Sequence, residues 1–365
     1  MKVLMFQHLP APYLVEFLNG IGKYIELTVI FKEKRNKERE DSWLDYNFLN
    51  FKAYFLPEKK KISFLNDMLK EKYDLYWNCD YSNPYSIYLT MKFKLRHTTV
   101  LMHADGGIAI PRNYDFLISK VMNMADFFAS SGKVCDRYYD YYHVPKNKRL
   151  YYRFTSQNEK DITGNRMMRE NRSIYREELK FKDDIVVFSV GQMIPRKGYD
   201  ILAKAIKYIN SNVKIIIAGG YPEDDVKQII ENNHITNMEF IGFKKKDELA
   251  KYFAASDIFV LPTRYDIWGL VINEAMSFGL PIISTDKCAA ADELISIFDN
   301  GIIVPIENEI ELAKAIDILA NDNELRMQYG INSLNGIKDY TIENMIKDYL
   351  VIFDKVKKDE STSNK

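Results

Sequence analysis

The segment of this 365-residue chain with the most recognisable chemistry runs from Leu261 to Ile283 and reads LPTRYDIWGLVINEAMSFGLPII. Its two acidic residues, Asp266 and Glu274, have seven residues between them. The apolar run before Asp266 predicts a buried strand, and Gly269–Phe278 reads as a helix that ends at Gly279. Asp266 is therefore expected at the carboxyl end of a strand, and Glu274 about a turn and a half into the next helix.

That arrangement suits a phosphorylated ligand. In an open parallel sheet, ligands bind outside the carboxyl ends of the strands, and the N–H groups that start a helix attract anions. Such N–H groups would come from Gly269, Leu270 and Val271. Glu274 could accept hydrogen bonds from a ribose diol, while Asp266 could reach the far side of the ligand. One segment could then hold a sugar, a diphosphate and a ribose. Spacing alone leaves open a simpler alternative, in which Glu274 is a solvated residue of an amphipathic helix.

A second candidate site is Val190–Asp200, VGQMIPRKGYD, which follows the predicted strand VVFSVG. Arg196 and Lys197 lie in its loop, where a bidentate guanidinium and a point charge could together neutralise a diphosphate. An Arg-Lys pair in a loop is more often surface charge. Here its weight comes from the sheet, because loops that follow parallel strands open at one edge. Gly191 and the Gly219-Gly220 pair follow strands at that same edge.

Composition predicts a soluble globular protein with two domains of ordinary size, since 47% of the residues are hydrophobic and 28% charged. The apolar runs are of strand length, and the first residues do not read as a signal peptide, so we expect a cytoplasmic protein. Cys79, Cys135 and Cys288 fit neither a disulfide framework nor a zinc site, and we expect them to be reduced. No metal site is predicted.

The zero net charge conceals an asymmetry. Residues 1–155 carry 24 Lys and Arg against 17 Asp and Glu, a balance of +7, whereas residues 156–365 carry 27 against 34, a balance of −7. Three runs of the first half are rich in cations, and the second and third also contain aromatic residues: Lys59–Lys61, Lys92–His97 and Lys146–Arg153. Such runs indicate either solvated faces or a segment that rests on an anionic membrane surface.

Strands alternate with helices along both halves, which predicts an α/β fold with helices on both faces of each sheet. The predicted strands are Lys2–Gln7, Glu26–Lys32, Asp74–Cys79, Thr98–His103, Asp126–Ser130, Arg149–Arg153, Ile185–Val190, Lys214–Ala218, Glu239–Phe243, Asp257–Pro262, Pro281–Thr285 and Ile302–Pro305. We divide the chain into a first domain at 1–155, a polar linker at 156–183, a second domain at 184–340, and a final helix with a polar tail at 341–365.

Several motifs in fixed order from Val187 to Pro305 resemble the nucleotide-sugar domain of family 4 retaining glycosyltransferases, the glycosyl transferases group 1. They are GQMIPRKGYDILAKAI, KIIIAGG, FIGFKKKDELAKYFAASDIFVLPT and DIWGLVINEAMSFGLPII, and they cover about 120 residues. The first half matches only in its architecture and in HADGG at His103–Gly107. The resemblance implies the GT-B fold, in which two Rossmann-like domains face a cleft and a C-terminal helix crosses back to the first.

The resemblance also implies roles for individual residues. Arg196 and Lys197 would bind the donor diphosphate, Glu274 the ribose and Asp266 the transferred sugar. The N–H groups of Gly269, Leu270 and Val271, with Gly191 and Gly219, would complete the donor site. His103 would face the donor sugar, although a core histidine with backbone partners is the alternative. His8 and Asp105 are weaker candidates for the acceptor, and Asp105 could equally cap a turn.

The activity implied is transfer of a sugar from a nucleotide-sugar, with UDP as the first candidate carrier, to a saccharide or lipid-linked saccharide of a bacterial surface polysaccharide. Retention at the anomeric carbon and independence from metal ions and other cofactors follow from the same resemblance. The family usually has Glu where this chain has Asp266, and Ala289-Ala290 replaces a later Gly-Gly. These departures affect the expected contacts with the sugar.

Two other functions remain as alternatives. A sugar-nucleotide-binding scaffold without turnover would keep the same donor residues, and a nucleotide-sugar epimerase shares the fold but needs further carboxylates. A dehydrogenase is disfavoured because neither half opens with Gly-x-Gly-x-x-Gly. Nucleic-acid binding is disfavoured by the zero net charge.

Overall fold

The computed structural model describes residues 1–34, 47–104, 113, 115–182 and 184–363. The chain divides into two compact units. The first contains Met1–Phe154 together with the segment that begins at Ile342, and the second contains Thr155–Thr341.

Each unit is built on one parallel sheet, and the strands follow one another along the chain. They are β1 Lys2–Gln7, β2 Glu26–Phe31, β3 Lys52–Phe55, β4 Leu75–Asn78, β5 Thr99–His103, β6 Phe127–Ser130, β7 Arg149–Tyr151, β8 Ile185–Val190, β9 Val213–Ala218, β10 Met238–Phe240, β11 Ile258–Leu261, β12 Ile282–Thr285 and β13 Gly301–Val304.

Helices connect most of these strands. They are α1 Pro12–Ile21, α2 Lys61–Met68, α3 Pro84–Leu95, α4 Asp115–Met122, α5 Lys133–Tyr141, α6 Glu159–Glu170, α7 Arg172–Glu178, α8 Tyr199–Ala205, α9 Asp224–Asn232, α10 Lys246–Ala255, α11 Leu270–Ser277, α12 Ser296–Phe298, α13 Glu309–Asn321, α14 Asn323–Ile337 and α15 Ile342–Ser363.

The strand order identifies where each sheet changes direction. The first sheet has the order β3-β2-β1-β4-β5-β6-β7, and the second β10-β9-β8-β11-β12-β13. The connections proceed in one direction from β1 and in the other from β4, and the same reversal occurs between β8 and β11. In open α/β sheets these reversal points create the crevice in which ligands bind. The loops after β1, β4, β8 and β11 are therefore the places to look for a site.

The first unit buries its sheet between helices on both faces. Every residue of β4 and β5 is buried, as expected of central parallel strands. Helix α1 packs against α15 through aromatic rings, and the centroids of the Phe17 and Tyr349 rings lie 5.1 Å apart. The Tyr349 ring also lies 4.7 Å from the ring of Trp77 in β4. A Cβ at Gly20 would lie 2.2 Å from the Ile346 side chain, so this glycine allows the two helices to approach.

The second unit has an aliphatic core made by the central strands and helices on either side. Ile215, Val260 and Ile283 of neighbouring strands are fully buried together with Leu202 of α8 and Ile316 of α13. The strand residues alternate little between apolar and polar, which is the pattern of a sheet covered on both faces. The core fixes the strands, and so fixes the positions of the loops at their carboxyl ends.

The α/β class with two parallel sheets is confirmed, and each predicted strand overlaps an observed one. The edge strand β3 was not predicted, because its KAYF sequence is short and has no fully buried residue. The helix after the cationic loop is short, since α8 ends at Ala205 and a 3₁₀ turn follows at Ile206–Tyr208.

The linker predicted at 156–183 contains two helices, α6 and α7, that pack against α10 within the second unit. Their polar composition obscured them. Arg169 donates to the carbonyls of Ala254 and Ser256, and Arg176 pairs with Asp257 at 3.2 Å. These arginine contacts hold the helices in place where an apolar stripe would usually do so.

Among the residues that the structure describes, no helix combines the length and the apolar character needed to cross a membrane. The three cysteines are all free thiols.

Candidate functional site

The two cations predicted from the sequence lie in a 3₁₀ turn, Pro195–Lys197, just after β8. Gly198 closes the turn with φ +71°, in the left-handed region that glycine adopts without strain. A Cβ at Gly198 would lie 2.0 Å from the carbonyl oxygen of Pro262, at the end of β11. The glycine therefore lets the cationic turn lie directly against the neighbouring loop.

The structure brings Arg196, Lys197 and Asp266 together, as the sequence predicts. Lys197 Nζ donates to Asp266 Oδ2 at 2.5 Å, and an Arg196 terminal nitrogen lies 3.4 Å from the same oxygen. Arg196 also donates to the Tyr265 carbonyl at 3.0 Å. Lys197 is buried, and the Asp266 side chain is 14% exposed. Two cations share one carboxylate, which leaves this group with a net positive charge for an anionic ligand.

The start of α11 adds a second attraction for anions. Gly269 is the N-cap, with φ +99°, and a Cβ there would lie 2.7 Å from the Cys288 sulfur. Leu270 and Val271 form the first turn of this eight-residue helix. The N–H groups at a helix start have no partner within the helix, and they carry its positive dipole end. They lie only a few positions beyond Asp266 along the chain.

Two glycines allow the backbone at the same sheet edge to pack closely. Gly191 N–H donates to the Ala218 carbonyl at 3.0 Å, and Gly219 N–H to the Gly242 carbonyl at 2.8 Å. Gly219 has φ +118°, and a Cβ there would lie 2.2 Å from the Gly191 oxygen. A Cβ on Gly191 would meet the Tyr199 hydroxyl at 2.9 Å. These glycines leave the backbone uncovered next to Lys197.

Glu274 lies on α11 as predicted, but it is partly buried rather than solvated. Burial raises the pKa of its carboxyl to about 7, with a smaller contribution from Asp161, while Lys246 and a hydrogen bond from Ser156 act in the opposite direction. A carboxyl group with this pKa exchanges its proton near neutral pH. Its predicted contact with a ribose remains a prediction.

His103 is the last residue of β5, and both its ring nitrogens have hydroxyl partners in the first unit. Nε2 lies 2.6 Å from the Tyr152 hydroxyl, and Nδ1 lies 3.1 Å from the Tyr349 hydroxyl. The Trp77 ring stacks nearly parallel to the imidazole. This is close to the core-histidine alternative, with tyrosine hydroxyls as partners in place of the backbone. Whether His103 contacts a sugar stays a prediction, and Asp105 lies outside the described residues.

His8 follows β1 and lies near an acidic residue that the sequence did not single out. Its Nδ1 is 3.6 Å from Oδ2 of Asp80, which follows β4. The His8 side chain is 47% exposed. The pair sits where the first sheet changes direction, which is the usual position for a ligand in this architecture.

Some cations of the basic runs in the first half form ion pairs within the unit. Lys94 pairs with Asp126 at 2.7 Å, Arg149 with Asp140 at 2.6 Å, and Arg153 with Asp348 at 2.6 Å. These ion pairs give the three side chains a role within the fold, and a contact of the basic runs with a membrane surface stays a prediction.

Three residues beside the site were not predicted from the sequence. Arg264 precedes Asp266 by two positions and pairs with Asp200. Tyr221 and Phe243 follow β9 and β10, and they are 71% and 46% exposed. Aromatic rings in loops carry no periodic signal, although each of these follows a glycine or a glycine pair after a strand.

The described residues contain no group of three or more His, Cys, Asp or Glu side chains arranged to hold a metal ion.

The fold and this site define the class: a protein of two Rossmann-like units, with an anion-suited site where the second sheet changes direction. Residues 171–335 match the family model of the glycosyl transferases group 1. A glycosyltransferase of Haemophilus influenzae is 31% identical over 169 residues, which cover 45% of this chain and 47% of that protein. The match thus spans about half the length of this curated relative.

Solved structures extend the likeness to nearly the whole chain. A glycosyltransferase from Rickettsia africae superposes with a TM-score of 0.77 at 14% identity, covering 97% of this chain and 98% of that one. Anabaena HepE in complex with UDP superposes with a TM-score of 0.75 at 15% identity, covering 97% and 100%. At these identities the likeness establishes the fold, and the predicted GT-B fold is confirmed.

Proposed function

We propose that the chain is a glycosyltransferase whose second unit binds a nucleotide-sugar donor. One observation carries this proposal: Arg196 and Lys197 converge on Asp266 at the reversal point of the second sheet, beside the start of α11. A diphosphate needs cations and N–H donors, and a transferred sugar needs an acceptor for its hydroxyls. Both sets of groups lie in adjacent loops. The group 1 match over the same residues supports this assignment.

The roles of these residues follow from their charges. Lys197 and Arg196 would bind the diphosphate and stabilise the negative charge that develops on it as the bond to the sugar breaks. The diphosphate would then compete with Asp266 for Lys197, which frees the carboxylate to accept from sugar hydroxyls. Glu274 would accept from the ribose. Asp266 is one methylene shorter than the usual Glu, and a different sugar preference is the expected consequence.

UDP is the carrier that we propose, because HepE, which shares the fold, holds UDP in its crystal structure. The exposed rings of Tyr221 and Phe243 lie after β9 and β10, at the carboxyl edge of the sheet that also carries Lys197. An exposed aromatic ring is a favourable surface for a nucleobase. These rings provide a site for the base beyond the diphosphate.

We further propose transfer with retention and without a metal ion. The acceptor hydroxyl would attack on the face from which the diphosphate leaves, and a phosphate oxygen would take its proton. Asp266 and the donor contacts would orient the sugar and stabilise an oxocarbenium-like carbon. Proton NMR of the first product would test the anomeric configuration, and activity in EDTA would test the need for a metal.

The acceptor that we propose is a saccharide or lipid-linked saccharide of a surface polysaccharide, reached at the cytoplasmic face of a membrane. On α4, Phe116 and Leu117 are 68% and 61% exposed, and Lys120 lies 4.3 Å above the Phe116 ring. Exposed apolar side chains beside a cation suit an anionic lipid surface. Co-sedimentation with phosphatidylglycerol vesicles should be lost in the F116E/L117E variant, and retention of binding would refute this part of the proposal.

The donor site is tested by a thermal-shift panel of nucleoside diphosphates and their sugars. We expect a base-selective rise in the melting temperature of the wild type, and its loss in K197A and E274A. No shift with any nucleotide at millimolar concentration would favour the alternative of a scaffold that has lost its ligand.

A further inference from the structure

Arg264 connects the three loops that surround the candidate donor site. Its two terminal nitrogens donate to the two carboxylate oxygens of Asp200 at 2.8 Å each, a bidentate pair. It also binds the carboxylate of Glu307, which follows β13, and the carbonyl of Pro195. One side chain thus ties the loops after β8, β11 and β13 to each other.

The backbone on either side of Arg264 reinforces this link. Its N–H donates to the Arg196 carbonyl at 2.8 Å, and the Thr263 hydroxyl donates to the same carbonyl or to that of Tyr265, at 3.0 and 2.8 Å. Glu307 has φ +55°, a left-handed conformation that is strained for a residue with a side chain. The ion pair with Arg264 gives a reason why Glu307 is held there.

Charge balance gives Arg264 a second role. The Asp200 side chain is 12% exposed and lies three positions after Lys197. The side chain of Arg264 is 27% exposed. Hydrogen bonds to Asp200 first, and to Glu307, raise the pKa of Arg264, so it remains charged. Without it, the cation left beside Asp200 among the described ion pairs is Lys204, at 3.5 Å.

We infer that Arg264 is a positioning residue for the donor diphosphate, because it fixes the turn that carries Arg196 and Lys197 and neutralises Asp200 and Glu307 beside it. This inference rests on the proposed function. Arg264 itself need not touch the donor. Its loss would let the turn move and would place two uncompensated carboxylates near a site that must accept two phosphates.

The test is UDP affinity, measured by isothermal titration calorimetry at low and high salt. R264M leaves two uncompensated carboxylates beside the diphosphate and releases the cationic turn, so we expect it to weaken UDP binding about tenfold or more. The loss should be larger at low salt, because screening weakens the repulsion. R264K keeps the charge without the planar fork, and its UDP affinity should lie between those of the wild type and R264M. The R264M/D200N variant removes one of the unpaired carboxylates and should recover part of the lost affinity.

R176M is the matched control. Arg176 pairs with Asp257, just before β11, and donates to three carbonyls just before β8, at the opposite edge of the same sheet from the site. It should lower the melting temperature while UDP affinity stays within about twofold of wild type.

The outcomes separate the two proposals. If the wild type binds UDP and R264M binds it equally well, or if R176M weakens it as much as R264M, the positioning role is refuted and the proposed function stands. If the wild type binds no nucleoside diphosphate, the donor site itself is refuted, and with it the role of Arg264.

Discussion

The unusual ionisation of Glu274 leads to a stability prediction of defined sign. Burial raises the pKa of this carboxyl from 4.5 to about 7 in the folded protein. The folded state therefore binds this proton more tightly than the unfolded state. The resulting contribution to stability is fully present below pH 4.5, and it is lost as the pH rises towards and through about 7. At pH 8 the wild type must keep a carboxylate where a neutral group is preferred.

Glu274→Gln removes that titration while keeping the shape of the side chain. A shift from 4.5 to about 7 corresponds to roughly 3 kcal/mol at about 1.4 kcal/mol per pKa unit. The side chain is only partly buried, so screening by solvent reduces the expected effect to about 1–2 kcal/mol. E274Q should gain this amount relative to wild type between pH 5 and pH 8, the difference growing with pH.

Urea unfolding at several pH values measures this difference. Because the chain has two compact units, the probe must report the second one. Trp268 is buried there, and a background with Trp43 and Trp77 changed to Phe leaves it as the remaining tryptophan. Glu324→Gln, on an exposed position of α14, is the control. A free-energy difference between E274Q and the background that stays constant from pH 5 to 8 would refute the reasoning.

Three further predictions concern other parts of the chain. Lys197→Met should weaken UDP binding at least tenfold by calorimetry, since a charge-assisted contact is worth about 1.5–3 kcal/mol, and unchanged affinity would remove Lys197 from the donor site. Gly219→Ala should lower the free energy of unfolding in urea by about 2–4 kcal/mol, because Gly219 has a φ of +118° and a Cβ there would lie 2.2 Å from a carbonyl oxygen. Gly164→Ala, in open space on α6, should raise it by about 0.5–1 kcal/mol. Equal effects of the two substitutions would contradict this reasoning. Tyr349→Phe should lower the free energy of unfolding by about 1 kcal/mol, because it removes the hydrogen bond to the His103 imidazole. A change in urea unfolding below roughly 0.3 kcal/mol, about the experimental error, would show that this bond contributes nothing.

The central strands could be predicted from the sequence because each is a short apolar run bounded by turn residues, as in β8 and β11. The helices α6 and α7 could not, since they are held by Arg169, Arg172 and Arg176 and not by an apolar stripe. A polar segment with such arginines reads as a linker until the acceptor carbonyls are known. Those carbonyls lie about 80 positions away, at the end of α10.

The convergence of Lys197 on Asp266 was predictable, because the carboxyl ends of parallel strands meet at one edge. The partners of each side chain were not. Arg264 meets Asp200 from 64 positions away, and His103 meets Tyr349 from 246 positions away. No local pattern encodes such pairs, so the sequence indicated the candidate site while its supporting contacts required the structure.

Turnover tests the central claim most directly. Purified protein should be incubated with UDP-sugars and a panel of saccharide and lipid-linked acceptors, with release of UDP and formation of glycosylated product both measured. We predict acceptor-dependent UDP release by the wild type, lost in K197M and D266N and retained in K314M, whose lysine is an exposed residue of α13. Binding of UDP without turnover on any donor and acceptor would contradict the assignment of a glycosyltransferase. Turnover by K197M and D266N equal to that of the wild type would contradict a site centred on Lys197 and Asp266.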